Sequence, residues 1–171
     1  MTMIAQRPAV VADRQQPGHC EGDLIMGTAN RSAIGTLVER TTRPVALVHL
    51  PAGHNGEQMK DALAKQLSAF PAHLARSLTW DQGSEMGCHN ELTARTGIAV
   101  YFCDPASPWQ RGSSENMNGL LRQYFPKGTD LSVHSAGHLQ AVANELNSRP
   151  RKVLGWQTPA KRLESLVFSS I

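Results

Sequence analysis

Three acidic residues stand where a carboxylate could do chemistry. Asp23 lies beside the apolar run Leu24–Met26, where a charge is costly unless a partner or a cation meets it. Asp81 follows the apolar run Ser77–Trp80, and the ends of strands are where open α/β sheets place their sites. Glu115 falls in the first turn of a predicted helix, where the helix dipole favours a charged carboxylate.

Carboxylates that converge in a fold repel one another, so their proximity calls for cations. Carboxylate and water oxygens are the ligands that Mg²⁺ and Mn²⁺ prefer. Two such ions about 4 Å apart activate a water or hydroxyl and stabilise the leaving oxygen in phosphodiester displacement. Spacing alone could arise by chance among the 14 Asp and Glu residues of the chain, so the surrounding residues must decide.

The apolar patterns predict the elements that would bring these acids together. The strand-like runs are Glu21–Gly27, Ser32–Glu39, Val45–Leu50, Ser77–Trp80 and Ile98–Phe102. The helical patterns begin at Asn55, Asn90, Ser113, Ser135 and Thr158. This order predicts an α/β fold with a mixed five-stranded sheet, three antiparallel strands and then two parallel ones, flanked by helices. The first and fourth strands should be neighbours, which would place Asp23 beside Asp81.

Length and composition favour one globular domain. The chain has 171 residues, of which 40% are hydrophobic and 18% charged, and residues 1–18 have the pattern of a tail or linker before a core domain at 19–168. No apolar run approaches the length of a membrane span, and the first residues lack the apolar core of a signal peptide. Three cysteines at no regular interval argue against a disulfide framework. We therefore expect a cytoplasmic protein.

The positive charge is concentrated toward the end of the sequence. In residues 105–171, Lys and Arg outnumber Asp and Glu two to one. This half is a candidate contact for a polyanion, although a solvated basic face is an equally good interpretation of charge alone.

Four sequence segments resemble one known family. They are CEGDLI from Cys20, RSAIGTLVERTTR from Arg31, LTWDQGSEM from Leu78, and YFCDPASPWQRGSSENMNGLLRQYFPKGTDLS from Tyr101. Together they closely resemble the catalytic domain of IS-thirty-type transposases, in the retroviral-integrase superfamily, over nearly the whole chain.

The resemblance implies a ribonuclease-H-like fold and a DDE triad formed by Asp23, Asp81 and Glu115, which would hold two Mg²⁺ or Mn²⁺ ions. It implies cleavage at transposon ends and attack of the freed 3′-hydroxyl on another DNA strand. The partners expected are DNA, as transposon ends and target, and further copies of the chain in a homodimer or higher oligomer. The expected location is the bacterial cytoplasm, in association with the nucleoid.

Two departures from the family pattern bear on function. The family usually has Trp where Cys20 stands, so we expect weaker packing against the sheet near the first acid, with the metal ligands themselves unchanged. Family members also carry an N-terminal helix-turn-helix region that recognises the element's ends, and we expect this sequence to lack that targeting function, as an excised domain or as the remnant of a broken element.

Residues around the last predicted acid are candidate DNA contacts. Trp109 could stack on a base, and Arg111, Arg122 and Lys127 could contact phosphates. Asn118 could contact DNA or orient a metal-bound water. Each also has an ordinary structural interpretation, as a packed aromatic ring or a solvated polar group.

Three functional hypotheses follow. The first is an active DDE transposase core, a metal-dependent polynucleotidyl transferase. The second is a transposition-incompetent remnant that acts only as a DNA-binding or dimerising module. The third is a structural-metal protein or an α/β protein that does not act on nucleic acid. The cysteine and histidine spacings match no known zinc motif, which ranks the third hypothesis last.

Overall fold

The computed structural model describes residues 1–8, 17–42, 44–68, 75–104, 112–150 and 158–159, with residues 112–115 described as helical backbone. The strands are β1 (Thr2–Met3), β2 (His19–Met26), β3 (Ala33–Glu39), β4 (Val45–Val48), β5 (Ser77–Trp80) and β6 (Ala99–Phe102). The helices are α1 (Gly56–Leu67), α2 (His89–Thr96), α3 (Gly112–Leu121) and α4 (Ala136–Asn147).

One mixed sheet organises the described residues, in the order β1-β6-β5-β2-β3-β4. Strands β2, β3 and β4 form the predicted antiparallel meander, and β5 and β6 run parallel to β2. The predicted neighbourhood of the first and fourth apolar strands is confirmed, because β2 pairs directly with β5. The predicted strand count of five is wrong: β1 pairs with Tyr101 and Phe102 of β6 and adds a sixth strand within the segment assigned to a tail.

Helices cover both faces of the sheet, as predicted. On one face α1 and α2 bury Met59, Leu63 and Leu92 against strand residues that include Trp80. On the other face, α3 and α4 join a second apolar cluster with Ile25 and other residues of the meander. The sheet therefore separates two apolar cores.

Local capping chemistry accounts for three of the helix boundaries. The side chain of Asn55 accepts a hydrogen bond from the Gln58 amide and Ser135 accepts one from the His138 amide, as predicted at both helix starts. Gly97 ends α2 in the left-handed conformation, with a φ of 75°. The predicted cap at Asn90 is wrong, because α2 begins at His89 without a side-chain cap. The predicted helix at Thr158–Val167 lies outside the described residues beyond residue 159.

No helix in the described part of the chain is both long enough and apolar enough to cross a membrane.

Candidate active site

Strand pairing sets the first two predicted acids opposite each other. In the parallel pair of β2 and β5, Glu21 is the partner of Thr79. The same register continued by two residues places Asp23 opposite Asp81, which follows β5 directly. Both acids are half-buried, so each has a share of its surface toward solvent. The structure thus brings these two predicted site residues together at one edge of the sheet.

The carboxylate of Asp23 is held in place from two sides. Its Oδ1 accepts a hydrogen bond of 2.8 Å from the Leu24 amide, and its Oδ2 accepts one of 3.1 Å from Asn118 Nδ2. The Oδ1 of Asn118 in turn accepts a 3.2 Å hydrogen bond from the hydroxyl of Thr36. Thr36 is fully buried on β3 as the register partner of Asp23. A relay of Thr36, Asn118 and Asp23 therefore fixes the orientation of the first acid.

A tight turn positions Asp81. Its Oδ1 accepts a 3.0 Å hydrogen bond from the Gly83 amide, which closes the Asp-Gln-Gly turn. Gln82 of the same turn donates from Nε2 to the Cys103 carbonyl at 3.0 Å and so ties it to the end of β6. The Asp81 side chain is therefore anchored at a defined point beyond β5.

Glu115 lies in α3, one turn before Asn118. Helix α3 packs on β2 and β3, and Met117 and Leu121 are its buried anchors. Residues three apart lie on neighbouring turns of one side of a helix. The Glu115 side chain lies outside the described residues, so its place beside the two aspartates stays a prediction.

The glycine of the Glu-Gly-Asp segment has a steric reason. A Cβ atom on Gly22 would lie 2.1 Å from the ring of Trp80, which is fully buried. The indole nitrogen of Trp80 donates a 3.1 Å hydrogen bond to Glu85. Only glycine at position 22 leaves room for the Trp80 ring against this face of β2.

A buried ion pair lies two residues before Asp23. Glu21 has no exposed surface, Arg40 is 5% exposed, and the Arg40 guanidinium donates a hydrogen bond to the Glu21 carboxylate. Arg7 donates at 3.1 Å to the hydroxyl of Thr79, the strand partner of Glu21. Because alternate strand residues share a face, Glu21 shares the face of Asp23. Neither this pair nor Thr36 was among the predicted site residues. The signals that could have indicated them are a charged residue, Glu21, and a hydroxyl residue, Thr36, within otherwise apolar strand patterns.

Cys20 occupies the position of the family tryptophan and faces the core that α1 covers. It is 8% exposed, and burial together with nearby Glu39 and Glu21 raises the pKa of its thiol. A pocket of about 130 Å³ borders Cys20, Leu37 and Leu67. The smaller side chain thus leaves space where an aromatic ring could pack.

Replacing Cys20 by tryptophan is expected to raise the free energy of unfolding by about 0.5–2 kcal/mol, the usual gain from filling a cavity. Urea denaturation measures the change, and Cys20→Ala, which enlarges the space, is expected to lower stability instead. Destabilisation by the tryptophan would show that Leu37 and Leu67 cannot move aside for a ring.

A separate acidic cluster lies on the opposite face of the sheet. Ligand atoms of Glu57, Cys88 and Glu91 lie within 4.8 Å of one another. The ammonium of Lys60 donates to Glu57 at 2.7 Å and to Glu91 at 2.9 Å. Its hydrogen bond to Glu57, together with the one from the Cys88 thiol, lowers the pKa of Glu57. Lys60 already supplies the positive charge there, so we assign the cluster to an ion-pair network and not to a metal site.

The predicted DNA contacts have mixed positions. Trp109 and Arg111 lie outside the described residues. Arg122 is half-buried and donates at 3.3 Å to the carbonyls of Met26 and Phe125, so it has a structural role at the end of α3. Asn118 reaches Asp23, as described above, and Lys127 is exposed.

Comparison with known proteins agrees with this architecture. A family model described as "Integrase core domain" matches residues 13–108. This match, with the mixed sheet covered by helices, confirms the predicted ribonuclease-H-like fold. The matched range includes the two aspartates of the site and ends before Glu115.

Curated relatives align along almost the whole chain. A transposase for insertion sequence element IS1086 from Cupriavidus metallidurans is 53% identical over 98% of this chain and 49% of its own length. Transposase InsI for insertion sequence element IS30A from Escherichia coli is 47% identical over 95% of this chain and 42% of its own length. A transposase for IS4351 from Bacteroides fragilis is 35% identical over 96% of this chain and 50% of its own length. The chain thus spans about half the length of the curated relatives it matches.

Proposed function

Because this chain belongs to the integrase core domain family, we propose that it is the catalytic core of an insertion-sequence transposase. In this proposal it cleaves a DNA strand at a transposon end and transfers the freed 3′-hydroxyl to a target strand. The observation that carries the proposal is the register of β2 and β5, which sets Asp23 opposite Asp81 at one sheet edge.

The donor set at this edge fits hard divalent cations. Asp23 and Asp81 offer carboxylate oxygens, the ligand type that Mg²⁺ and Mn²⁺ prefer, on adjacent strands. Neighbouring carboxylates repel each other, and bound cations would relieve that repulsion. We propose that Asp23, Asp81 and Glu115 together hold two Mg²⁺ or Mn²⁺ ions. When bound, such ions activate the attacking water or hydroxyl and stabilise the leaving oxygen.

The protein's own part in the reaction is positioning. The Leu24 amide and Asn118 fix both oxygens of Asp23, and the Gly83 amide fixes Oδ1 of Asp81. Preorganised ligands lose little freedom when a substrate arrives, which lowers the cost of reaching the reactive geometry.

DNA is the proposed substrate, both as transposon ends and as target. A DNA-bound core of this kind would associate with the bacterial nucleoid. Because transposition joins two ends to one target, a homodimer or higher oligomer is the assembly that we expect.

The proposal is tested by incubating the chain with a labelled duplex that ends in the terminal repeat of its element, in Mn²⁺ or in EDTA. We expect Mn²⁺-dependent nicking of the duplex and joined products with a target duplex. Binding of the duplex with no product under any metal condition would instead support a transposition-incompetent, DNA-binding module.

Asn118→Leu is expected to reduce nicking about 10- to 100-fold, the usual effect of losing a group that orients a metal ligand. Leucine has a similar size but cannot donate to Asp23 or accept from Thr36. A titration with Mn²⁺ distinguishes weaker metal binding from weaker DNA binding as the cause of the loss. We expect half-maximal activity at a higher Mn²⁺ concentration than for the native chain, with much of the rate restored at saturating Mn²⁺.

Asn116→Leu is the matched control, because Asn116 is exposed on the same helix. We expect this variant to keep the Mn²⁺ dependence of the native chain. If Asn118→Leu had the same Mn²⁺ dependence but weaker DNA binding, Asn118 would be a DNA contact and not a positioning residue.

A further inference from the structure

Two segments remote in sequence are joined beyond the candidate active site. The first is the hairpin Gly27–Ser32, which links β2 to β3, and the second is residues 126–131, which follow α3. The Thr28 amide donates to the Thr129 carbonyl at 2.9 Å, and the Leu131 amide donates to Ser32 Oγ at 2.9 Å. We call this joined surface the hairpin ridge.

Close packing makes the hairpin ridge a defined shape. A Cβ atom on Gly27 would lie 2.2 Å from Ser32 Oγ and 2.8 Å from the Thr129 carbonyl oxygen, so only glycine allows the two segments to approach. The hairpin turns through Ala29 and Asn30, whose φ angles of 53° and 55° lie in the left-handed region. Charged groups on this surface therefore have fixed attachment points.

The hairpin ridge presents two cations to solvent. Arg31 and Lys127 are both exposed, and neither makes an ion pair with another described residue. The acid of the same surface, Asp130, accepts hydrogen bonds from the amide and hydroxyl of Ser132, which lower the pKa of its carboxyl. The described side chains of the hairpin ridge therefore carry two positive charges and one negative charge.

The position of the hairpin ridge relative to the site suits a DNA strand. Asp23 and the end of β2 at Met26 are three residues apart, which corresponds to about 10 Å of strand. That length corresponds to about three base-pair steps of 3.4 Å along the axis of a DNA duplex. Arg122 ties the end of α3 to Met26, so the helix and the hairpin ridge keep a fixed relation.

We propose that the hairpin ridge is a phosphate-binding surface, on which Arg31 and Lys127 hold the DNA backbone a few nucleotides from the strand being cut. This inference rests on the proposed function. It adds a DNA contact, Arg31, on the connection between β2 and β3, which is remote in sequence from the candidate DNA contacts around Glu115. Contacts of this kind position the substrate without reading its sequence.

The test measures DNA affinity of the purified chain against salt concentration, by fluorescence anisotropy with a labelled duplex in the absence of Mn²⁺. Each of Arg31→Gln and Lys127→Gln is expected to reduce the slope of log affinity against log salt by about 1, and the double variant by about 2. The loss should be the same for terminal-repeat and unrelated duplexes.

Arg95→Gln is the matched control, because Arg95 is 55% exposed on α2 and pairs with Asp61 on the other face of the sheet. Its slope should equal that of the native chain. If the native chain nicks DNA and all variants share one slope, the hairpin ridge is not an interface although the proposed function stands. If the native chain neither binds nor nicks the terminal repeat, the proposed function fails first.

Discussion

Asp23→Asn is expected to reduce Mn²⁺-dependent strand cleavage by at least about 10²- to 10³-fold, the cost of removing one group that stabilises developing charge in an active site. Asp81→Asn and Glu115→Gln should have losses of similar size, because all three carboxylates are proposed to hold the same pair of ions. Nicking of the labelled terminal-repeat duplex measures the loss.

These substitutions should leave the fold intact. An asparagine at position 23 can still accept from the Leu24 amide through Oδ1, and one at position 81 can still accept from Gly83. Without metal, we expect a small rise in melting temperature, because one of two neighbouring like charges is removed. A marked fall would mean that these carboxylates are needed for structural hydrogen bonds or ion pairs.

Metal binding gives a second readout that does not depend on catalysis. A ligand at 100 times its dissociation constant stabilises the native state by about 2.7 kcal/mol. Mn²⁺ should therefore raise the melting temperature of the native chain and have less effect on Asp23→Asn. Asp61→Asn is the control, since Asp61 is an exposed acid on α1 that pairs with Arg95. If the Glu115→Gln variant cleaves DNA at the native rate, Glu115 is not a metal ligand, and the assignment of the two aspartates still stands.

The elements that sequence patterns predicted well are those with local causes. Asn55, Ser135 and Gly97 act within one turn of their own position, through a capping side chain or a left-handed backbone. The meander follows from runs of β-branched residues between turns. The neighbourhood of Asp23 and Asp81 follows from the order of those elements, and this is why the central part of the candidate site was predictable.

What the patterns missed depends on contacts between distant residues. Strand β1 has two residues, too few for any periodic pattern, and it exists because Thr2 and Met3 pair with β6. Asn118 has the same polar character whether it faces DNA or Asp23, so its hydrogen bond could not be inferred from its place on a helix. The charge of Asp23 within an apolar strand pattern was visible in the sequence. The burial of Glu21 could not be predicted, because it depends on the ion pair with Arg40, 19 residues away.

Removal of one partner of the Glu21–Arg40 ion pair is expected to lower stability more than any other single substitution proposed above. Arg40→Met removes the guanidinium that pairs with the carboxylate of Glu21, which has no exposed surface. Removing one partner of a buried pair typically costs about 3–5 kcal/mol. For a chain of this size each kcal/mol corresponds to about 2–4 °C in melting temperature. Urea denaturation and thermal melting should both show the loss.

Arg95→Met is the control for the same change in an exposed pair, and it should cost less than about 1 kcal/mol. The double variant Glu21→Met with Arg40→Met removes both charges and should recover most of the lost stability, because apolar groups can replace a buried pair. The difference between single and double variants gives the coupling energy of the pair.

The double variant also decides whether the pair serves the site or only the fold. Both oxygens of Asp23 accept hydrogen bonds from Leu24 and Asn118, and neither donor involves Glu21 or Arg40. We therefore expect cleavage to return together with stability. A double variant that is stable but does not cleave DNA would mean that the buried charges set the orientation or the potential at Asp23, two residues along the same strand.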